Sequence, residues 1–429
     1  MSMVSKKLTL KNGTRVLFAP VEGTKAVTVL ILFPVGSRHE SRQLNGSSHF
    51  LEHLFFKGTA NRPSTLEISK ELDGVGAEYN AFTGKDYTGY YVKVSADKLG
   101  LALEVLSDML YNSLFDPAEI ERERGVIVEE INMYEDNPMM LLDELFEQLV
   151  FNGNSLARRI AGPRSVIRKV RREQLMAYKA KYYTPHNLLL TIAGKFAERE
   201  ATSLVKKNFD GVRGPRRSSR FVPFHPKQRR PAVEVKFRET EQVQIGLGFP
   251  AFGYRDRRLP ALTLLSTILG GTMSSRLFIN IRERLGLAYF IRSEASIYQD
   301  TGTFLVRAGL DKRRLRQALE KIWEELQIVR REGVTDEELS RSREYIKGKI
   351  ILNLEDSEHI ADWVGKQMLL EQKVETPEQK IKKLFSVTAG QVRQVARDVI
   401  HKRRLNLALI GPYRQPKDFV ALIGKLKEL

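Results

Sequence analysis

The sequence predicts an α+β chain made of two copies of one α/β unit, each a mostly antiparallel sheet flanked by helices. Two observations carry this. Short stretches alternate apolar and polar residues, while longer ones repeat apolar residues at helical spacing, with Gly, Asn and Pro at the joints. The whole pattern then starts again in the second half. Phe33-Pro34 falls on Phe249-Pro250, and Asp97-Lys98 on Asp311-Lys312. Leu188 to Gly194 falls on Leu405 to Gly411. The order is kept, with offsets from 210 (Gly76 on Gly286) to 219 (Glu119 on Glu338). The expected division is a first domain over 1–212, a linker over 213–232 and a repeat domain over 233–429.

Lys7 to Phe18 alternates around Asn12-Gly13 and reads as an opening hairpin. Val27 to Phe33 is a buried strand. A polar loop from Gly36 to Gly46 leads into the helix around His49. Ser64 caps the next helix, with Glu67 three residues on, and Gly74 and Gly76 break it. Ala77 to Val94 reads as strand, turn and strand, bent at Gly84-Lys85-Asp86. Asp97 opens a helix with Leu99, Leu103, Leu106 and Leu110 on one face. Asp116-Pro117-Ala118-Glu119 starts another, since Asp caps and Pro suits the first turn. It runs to Asn137-Pro138. Two helical segments follow, then the strand Leu188 to Ala193. Gly211 to Ala232 is rich in Arg, has early Pro and Gly breaks, and lacks periodicity.

The chemistry concentrates at Ser47 to Phe55. His49 and His53 are four apart, which on a helix places both imidazoles on one face. Two ring nitrogens so placed can share a zinc ion at roughly 2.0–2.1 Å each. Glu52 borders that face, close enough to serve a water beside the ion. The pattern is H-x-x-E-H, the inverted zincin motif. A lone histidine in an apolar helix is ordinarily a satisfied core residue. Here two of only seven His in the chain stand at i and i+4 with Glu in the required slot. A buried His pair without a partner is costly. A further protein ligand is needed. The acidic helix after Pro117 offers Glu121, Glu123, Glu129, Glu130 and Glu135, and spacing alone does not choose among them. In the second copy, His49, Glu52 and His53 fall on Leu265, Ile268 and Leu269, so only the first copy can bind metal this way.

Composition removes other classes. Apolar residues make up 42% of the 429, enough for sizeable cores and against disorder. With no Cys there are no disulfides, so any zinc must be held by His and carboxylate. No stretch approaches the roughly 18–20 apolar residues of a membrane span. The start of the chain lacks a signal-like apolar region, and a cytoplasmic protein is expected. Net charge is +18, clustered in Arg158 to Arg172 and in Gly211 to Ala232. No zinc-finger spacing or RNP aromatic pattern accompanies it, so solvated basic faces are expected rather than a specific nucleic-acid site.

Four segments together resemble a known family. They are His49-Phe-Leu-Glu-His53, Glu121 to Ile131, Gly271 to Phe278, and Arg282 to Tyr289. They resemble the inverted-motif zinc peptidases, which include pitrilysin, insulin-degrading enzyme and the mitochondrial processing peptidase. The short two-domain length is similar to the processing-peptidase branch and its bacterial relatives. The resemblance implies a zinc endopeptidase of that metallohydrolase fold, acting on peptides or unfolded segments, with one Zn2+ per chain. It implies that Glu130 is the third ligand, Glu123 a supporting carboxylate and Glu52 the base. It further implies an edge strand at Gly76 to Thr83 where an extended substrate pairs beside Asn80 and Ala81. Arg282 and Tyr289 match the family's substrate-contacting pair. Gly153 to Gly162 matches the family weakly, which bears on substrate preference. Association as a homodimer, or with a related chain, is implied, each chain's Arg282 and Tyr289 serving its partner's zinc. The family also contains idle subunits that keep the fold and lose the motif, and that is the alternative.

Overall fold

A computed structural model describes residues 3–216 and 219–426. Contacts divide the chain into two compact units. One holds Met1–Asn132, Arg158–Val222 and Ile350–Pro377. The other holds Met133–Ala157, Pro223–Lys349 and Glu378–Leu429.

The first unit contains β1 (Lys6–Thr9), β2 (Arg15–Pro20), β3 (Ala26–Phe33), β4 (Glu78–Thr83), β5 (Thr88–Ser95) and β6 (Leu189–Gly194). They lie in the order β1-β2-β6-β3-β5-β4. The opening hairpin forms as expected, with Leu8 opposite Val16 and Gly13 at φ 93° in the turn. β2 and β6 run parallel, and every other pair is antiparallel. Helices α1 (Ser47–Leu54), α2 (Thr65–Asp73), α3 (Leu99–Tyr111) and α4 (Pro117–Asp136) form where expected, although Asp97 does not cap α3: it lies in a 3-10 turn before it and accepts from Ser95 (2.6 Å), leaving Lys98 at the cap position. Ser64 and Glu67 form the expected capping box. Apolar faces of α1, α3 and α4 join Val29, Ile31 and Tyr90 of the sheet in one core.

The second unit repeats the design with β7 (Ala232–Phe237), β8 (Gln242–Ala251), β9 (Ala288–Ile297), β10 (Gly302–Asp311) and β11 (Asn406–Gly411). Their order is β7-β11-β8-β10-β9. β7 and β11 are parallel and the rest antiparallel. Position for position this matches β2-β6-β3-β5-β4, so the internal repeat is real at the level of topology. Leu265 and Leu269, which stand where the first copy has His49 and His53, are fully buried in this second core.

The compact units cut across the two halves of the sequence. Helix α5 (Pro138–Val150) comes from the first half, yet Leu142 and Phe146 bury against Leu305, Ala408 and Ile410 of the second sheet. The helix Ser357–Lys366 comes from the second half, yet packs on β3 and β6. There Thr28 and Ser357 share a hydroxyl hydrogen bond of 2.8 Å, and Lys93 pairs with Asp356 at 2.7 Å. Periodicity marks both segments as amphipathic helices but carries no information on which sheet they cover.

The basic stretch after Gly211 is also less of a free spacer than its composition suggests. The Phe221 ring lies 3.7 Å from the buried Arg38 guanidinium in the first unit. The Phe224 N–H bonds Asp300 (2.7 Å) and its ring meets Phe151 in the second. Two aromatics thus dock a segment that charge alone would leave solvated. Arg217 and Ser218 lie outside the described residues. Among the described residues, no helix is long and apolar enough to cross a membrane.

The exchange has a measurable consequence. A Cβ on Gly365 would stand 2.9 Å from Leu32 Cδ1 and 3.1 Å from Thr191 Oγ1, both in the buried first sheet. Gly365→Val is expected to destabilise the first unit by about 1–3 kcal/mol. Gly348, with nothing within 4 Å of its would-be Cβ, supplies the control. Urea unfolding followed by Trp363 fluorescence in a Trp323→Phe background checks this; equal midpoints for the two Val variants would refute the packing.

Candidate metal centre

α1 is a short helix whose inner face, Phe50, Leu51 and Leu54, is almost fully buried. It starts from Gly46, held in the left-handed region at φ 100°, where a side chain would also strike the Ala161 carbonyl. No side chain caps it in the usual position. Glu40 does so instead, from the preceding loop. One of its oxygens accepts from Gly46 N (2.7 Å) and Asn45 Nδ2 (2.9 Å), the other from Ser48 N (2.7 Å). Glu40 is buried, and burial pushes its carboxyl up. The hydrogen bonds oppose that shift. Both oxygens face donors, so the geometry accommodates the acceptor-only carboxylate. A negative group here also complements the positive end of the helix. The weakly matching segment has a part in this: Arg158 donates to the Glu40 carbonyl, and the Arg159 carbonyl accepts from Asn45 (2.8 Å).

On the opposite face the two imidazoles lie together, ring centroids 4.7 Å apart. α4 is anchored by Ile120, Ile127 and Ile131 in the core. Glu123 and Glu130, one on each side of Ile127, therefore face α1. Glu130 Oε2 is 3.4 Å from His49 Nε2 and 3.5 Å from His53 Nε2. Donors sharing a tetrahedral zinc at roughly 2.0–2.1 Å stand about 3.3–3.4 Å apart, so these three atoms fit such an ion. They form the one His/Cys/Asp/Glu cluster of metal-binding geometry among the described residues, all ligand atoms within 4.8 Å of one another. Glu129, one position back, is exposed and accepts from Asn132 (3.2 Å). Glu121 is exposed and paired with Arg124.

Glu123 accepts from His53 Nδ1 (3.0 Å) and pairs with Lys57 (2.8 Å). A carboxylate on Nδ1 keeps the proton there and leaves the Nε2 lone pair free for an ion. Burial lowers the His53 pKa, but Glu123 and Glu130 outweigh it and raise it to about 9. Burial likewise raises Glu130, and the two histidines pull it down to about 2. The pocket is thus strongly polarised toward cation binding.

Glu52, next to His53 on α1, accepts a hydrogen bond from the Thr83 hydroxyl at the end of β4. β4 is the sheet's edge, pairing only with β5, and α1 packs against it. Asn80 is exposed on that edge, and its Oδ1 accepts from Ala81 N (2.8 Å). Arg282 and Tyr289 belong to the other unit. The Arg282 guanidinium lies 4.6 Å from the Phe278 ring, and Tyr289, at the start of edge strand β9, is 61% exposed. Glu40, Lys57 and Thr83 escaped the sequence reading. Only Thr83 carried a signal, since it closes the segment already singled out as the edge strand.

The fold and this cluster define an inverted-motif metallopeptidase architecture. Comparison with known proteins makes it specific. Residues 15–164 match the family model "Insulinase (Peptidase family M16)", and residues 169–346 match "Peptidase M16 inactive domain". The chain is 36% identical over 409 residues to the "Uncharacterized zinc protease YmxG" of Bacillus subtilis (strain 168), covering 95% of this chain and 98% of that one. It is 36% identical over 415 residues to the "Uncharacterized zinc protease SCO5738" of Streptomyces coelicolor, covering 95% and 90%. A solved protease from Helicobacter pylori superposes with a TM-score of 0.89 at 24% identity, covering 96% of this chain and 100% of that one. A putative M16-like peptidase from Alicyclobacillus acidocaldarius gives 0.83 at 20% identity, covering 95% and 98%. The chain belongs to peptidase family M16.

One zinc titration separates the roles of four carboxylates. Glu130→Gln is expected to weaken zinc most and Glu129→Gln not at all. Glu123→Gln should cost about 10–100-fold, the usual range for a residue that orients a ligand. Glu40→Gln, which offers no ligand atom, should weaken zinc through α1 alone and lower the unfolding midpoint as well. Loss of zinc in Glu129→Gln but not Glu130→Gln would move the ligand by one residue.

Proposed function

We propose that the protein is a zinc-dependent endopeptidase that cleaves peptides or unfolded protein segments in extended conformation. The observation that carries this reading is the convergence of His49 Nε2, His53 Nε2 and Glu130 Oε2 on the helix that also carries Glu52. His49, His53 and Glu130 would hold one zinc ion per chain, and Glu123 would fix the His53 tautomer. Zinc held there supplies a Lewis acid that polarises the scissile carbonyl and acidifies water.

Glu52 takes a proton from the attacking water and delivers it to the amide nitrogen as the C–N bond breaks. The Thr83 hydroxyl occupies one Glu52 oxygen and leaves the other for that proton. Substrate main chain adds to the free edge of β4 beside Asn80 and Ala81. Main-chain pairing reads extended conformation before side-chain identity, which suits varied sequences. Asn80 Oδ1, which holds the Ala81 N–H in the free chain, would yield it to the incoming strand. Arg282 and Tyr289 would donate to the carbonyl oxygen as charge develops there. In a homodimer each chain would supply them to its partner's zinc site.

Two experiments test this. Glu52→Gln should keep its zinc and lose at least about 10²-fold in cleavage of a quenched peptide, the scale of a removed general base. A zinc-loaded Glu52→Gln that cleaves near the parent rate removes Glu52 as base, and a zinc-loaded parent that cleaves no unfolded protein supports an idle subunit. For action across a dimer, mixing Glu52→Gln with Tyr289→Phe should give more activity than either alone. No gain after subunit exchange is confirmed by mass would refute action in trans.

A further inference from the structure

Two groups outside α1 hold its polar side in place, Glu40 at its first turn and Thr83 on Glu52. They come from separate loops, and the two loops meet at one buried ion pair. Arg38 Nη1 lies 2.7 Å from Asp86 Oδ1, with side chains 0% and 2% exposed. Neither residue touches the metal cluster or has a part in the hydrolysis described above. A buried ion pair is a poor source of stability, because desolvation offsets its attraction. What it can contribute is a fixed geometry, and its neighbours show which geometry is fixed.

Arg38 belongs to the turn Ser37–His39, two residues before Glu40. Asp86 belongs to the bend between β4 and β5, three residues after Thr83. Backbone also joins the turn to the bend. Ser37 N donates to the Gly84 carbonyl (3.1 Å) and Arg38 N to the Lys85 carbonyl (3.2 Å). Gly36 permits this approach, because a Cβ there would stand 2.3 Å from the Gly84 oxygen. The turn is tied to α1, since Glu40 accepts from Asn45, Gly46 and Ser48. The bend has less support. It leaves the edge strand β4, which pairs only with β5, and Thr83 is the last residue of that strand. The Arg38–Asp86 pair therefore ties the corner of the sheet that carries Thr83 to the loop that caps α1.

A residue of the basic segment closes the pair from outside. The Phe221 ring lies 3.7 Å from the Arg38 guanidinium and meets the His39 ring edge-on, with centroids 5.7 Å apart. A guanidinium is weakly hydrated and stacks on aromatic faces without losing its charge. A ring in that place excludes water, and an ion pair is stronger where water is excluded. Phe221 falls in the same compact unit as Arg38, Asp86 and α1.

We propose that the Arg38–Asp86 pair, closed by Phe221, is a positioning device for Glu52: it holds the bend after β4 so that the Thr83 hydroxyl stays on the carboxylate. The proposal rests on the reading of Glu52 as the base. Phe221, Arg38 and Asp86 are positioning residues that act through Thr83, and the segment after Gly211 thereby takes part in the chemistry of the first unit.

The test combines peptide cleavage with hydrogen exchange on the full-length, zinc-loaded protein, well below its unfolding midpoint. Phe221→Ala should lower kcat by about tenfold or more, toward the ~10²-fold that a misplacement of roughly 1 Å costs. KM and zinc content should stay at the parent values. Phe221→Tyr keeps a ring over Arg38 and should restore kcat, and Val222→Ala, at an exposed neighbour, should change nothing. Asp86→Asn should match Phe221→Ala; if it does not fold, the Phe221 series decides. In a Thr83→Val background Phe221→Ala should cost nothing further, because residues acting through one group are not additive. Exchange should quicken at the Ser37 and Arg38 amides, which bond the bend, and not at the Gly46 and Ser48 amides, which bond Glu40. General loosening would quicken both sets. The proposal is overturned if the Phe221→Ala and Thr83→Val losses multiply, if both sets of amides quicken equally, or if Phe221→Ala keeps the parent kcat. A parent that cleaves no peptide removes the peptidase reading instead, and the exchange pattern then decides whether the pair places the bend.

Discussion

The first unit depends on holding a short polar helix inside an apolar core. α1 must bury Phe50, Leu51 and Leu54 while turning two imidazoles, one of them itself buried, toward Glu123 and Glu130 of α4. Unpaired N–H groups at the start of a buried helix are costly, and a helix of two turns has little stability of its own. Two buried carboxylates meet this constraint from outside the helix. Glu40 satisfies its first turn, and Glu123 pairs with His53 and Lys57 at its last. Each would be expensive to bury alone, and each is tolerated because donors surround it. α4 is anchored by Ile127 and Ile131 in the core, and Glu130 on the same helix faces the two histidines.

The same constraint explains how the two copies diverged. In the second unit Leu265 and Leu269 fill the core where the first has His49 and His53. With no outward polar work to do there, that segment needs no buried carboxylate to hold it. What both copies retain is the sheet, five strands in one order with one parallel pair at the same place. Sheet topology is set by alternation and by connection lengths, which survive substitution at the helix face.

How much of this was legible in the sequence varies by residue. The His49, Glu52, His53 spacing is local and periodic, so the motif could be read directly. The hairpin at Asn12-Gly13 and the capping box at Ser64 are equally local. Glu130 could not be separated from Glu129 by spacing on α4 and required resemblance. The structure distinguishes them by which face Ile127 buries. Glu40 was invisible because two of its three donors are backbone N–H groups, which carry no residue identity. The docked segment at Phe221 and Phe224 was masked by the arginines around it, since charge runs usually mark solvated chain.

The exchanged helices make each compact unit depend on both halves of the sequence. The first sheet, one face of which is covered by Ser357–Lys366, is not completed by the first half of the chain alone. Asp356 holds Lys93 on β5, Ser357 holds Thr28 on β3, and Gly365 lets the helix approach Leu32 and Thr191. Further along the same helix, the Lys366 ammonium lies 5.5 Å from the Phe82 ring and 5.3 Å from the Tyr87 ring, at the bend joining β4 to β5. Thr83, which bonds Glu52, is the next residue after Phe82. A residue more than 300 positions downstream of the motif (366 against 53) therefore packs one step from the hydroxyl that bonds Glu52. Helix Ser357–Lys366 thus ties sequence from the second half of the chain to the sheet that carries the His49, His53 and Glu130 cluster.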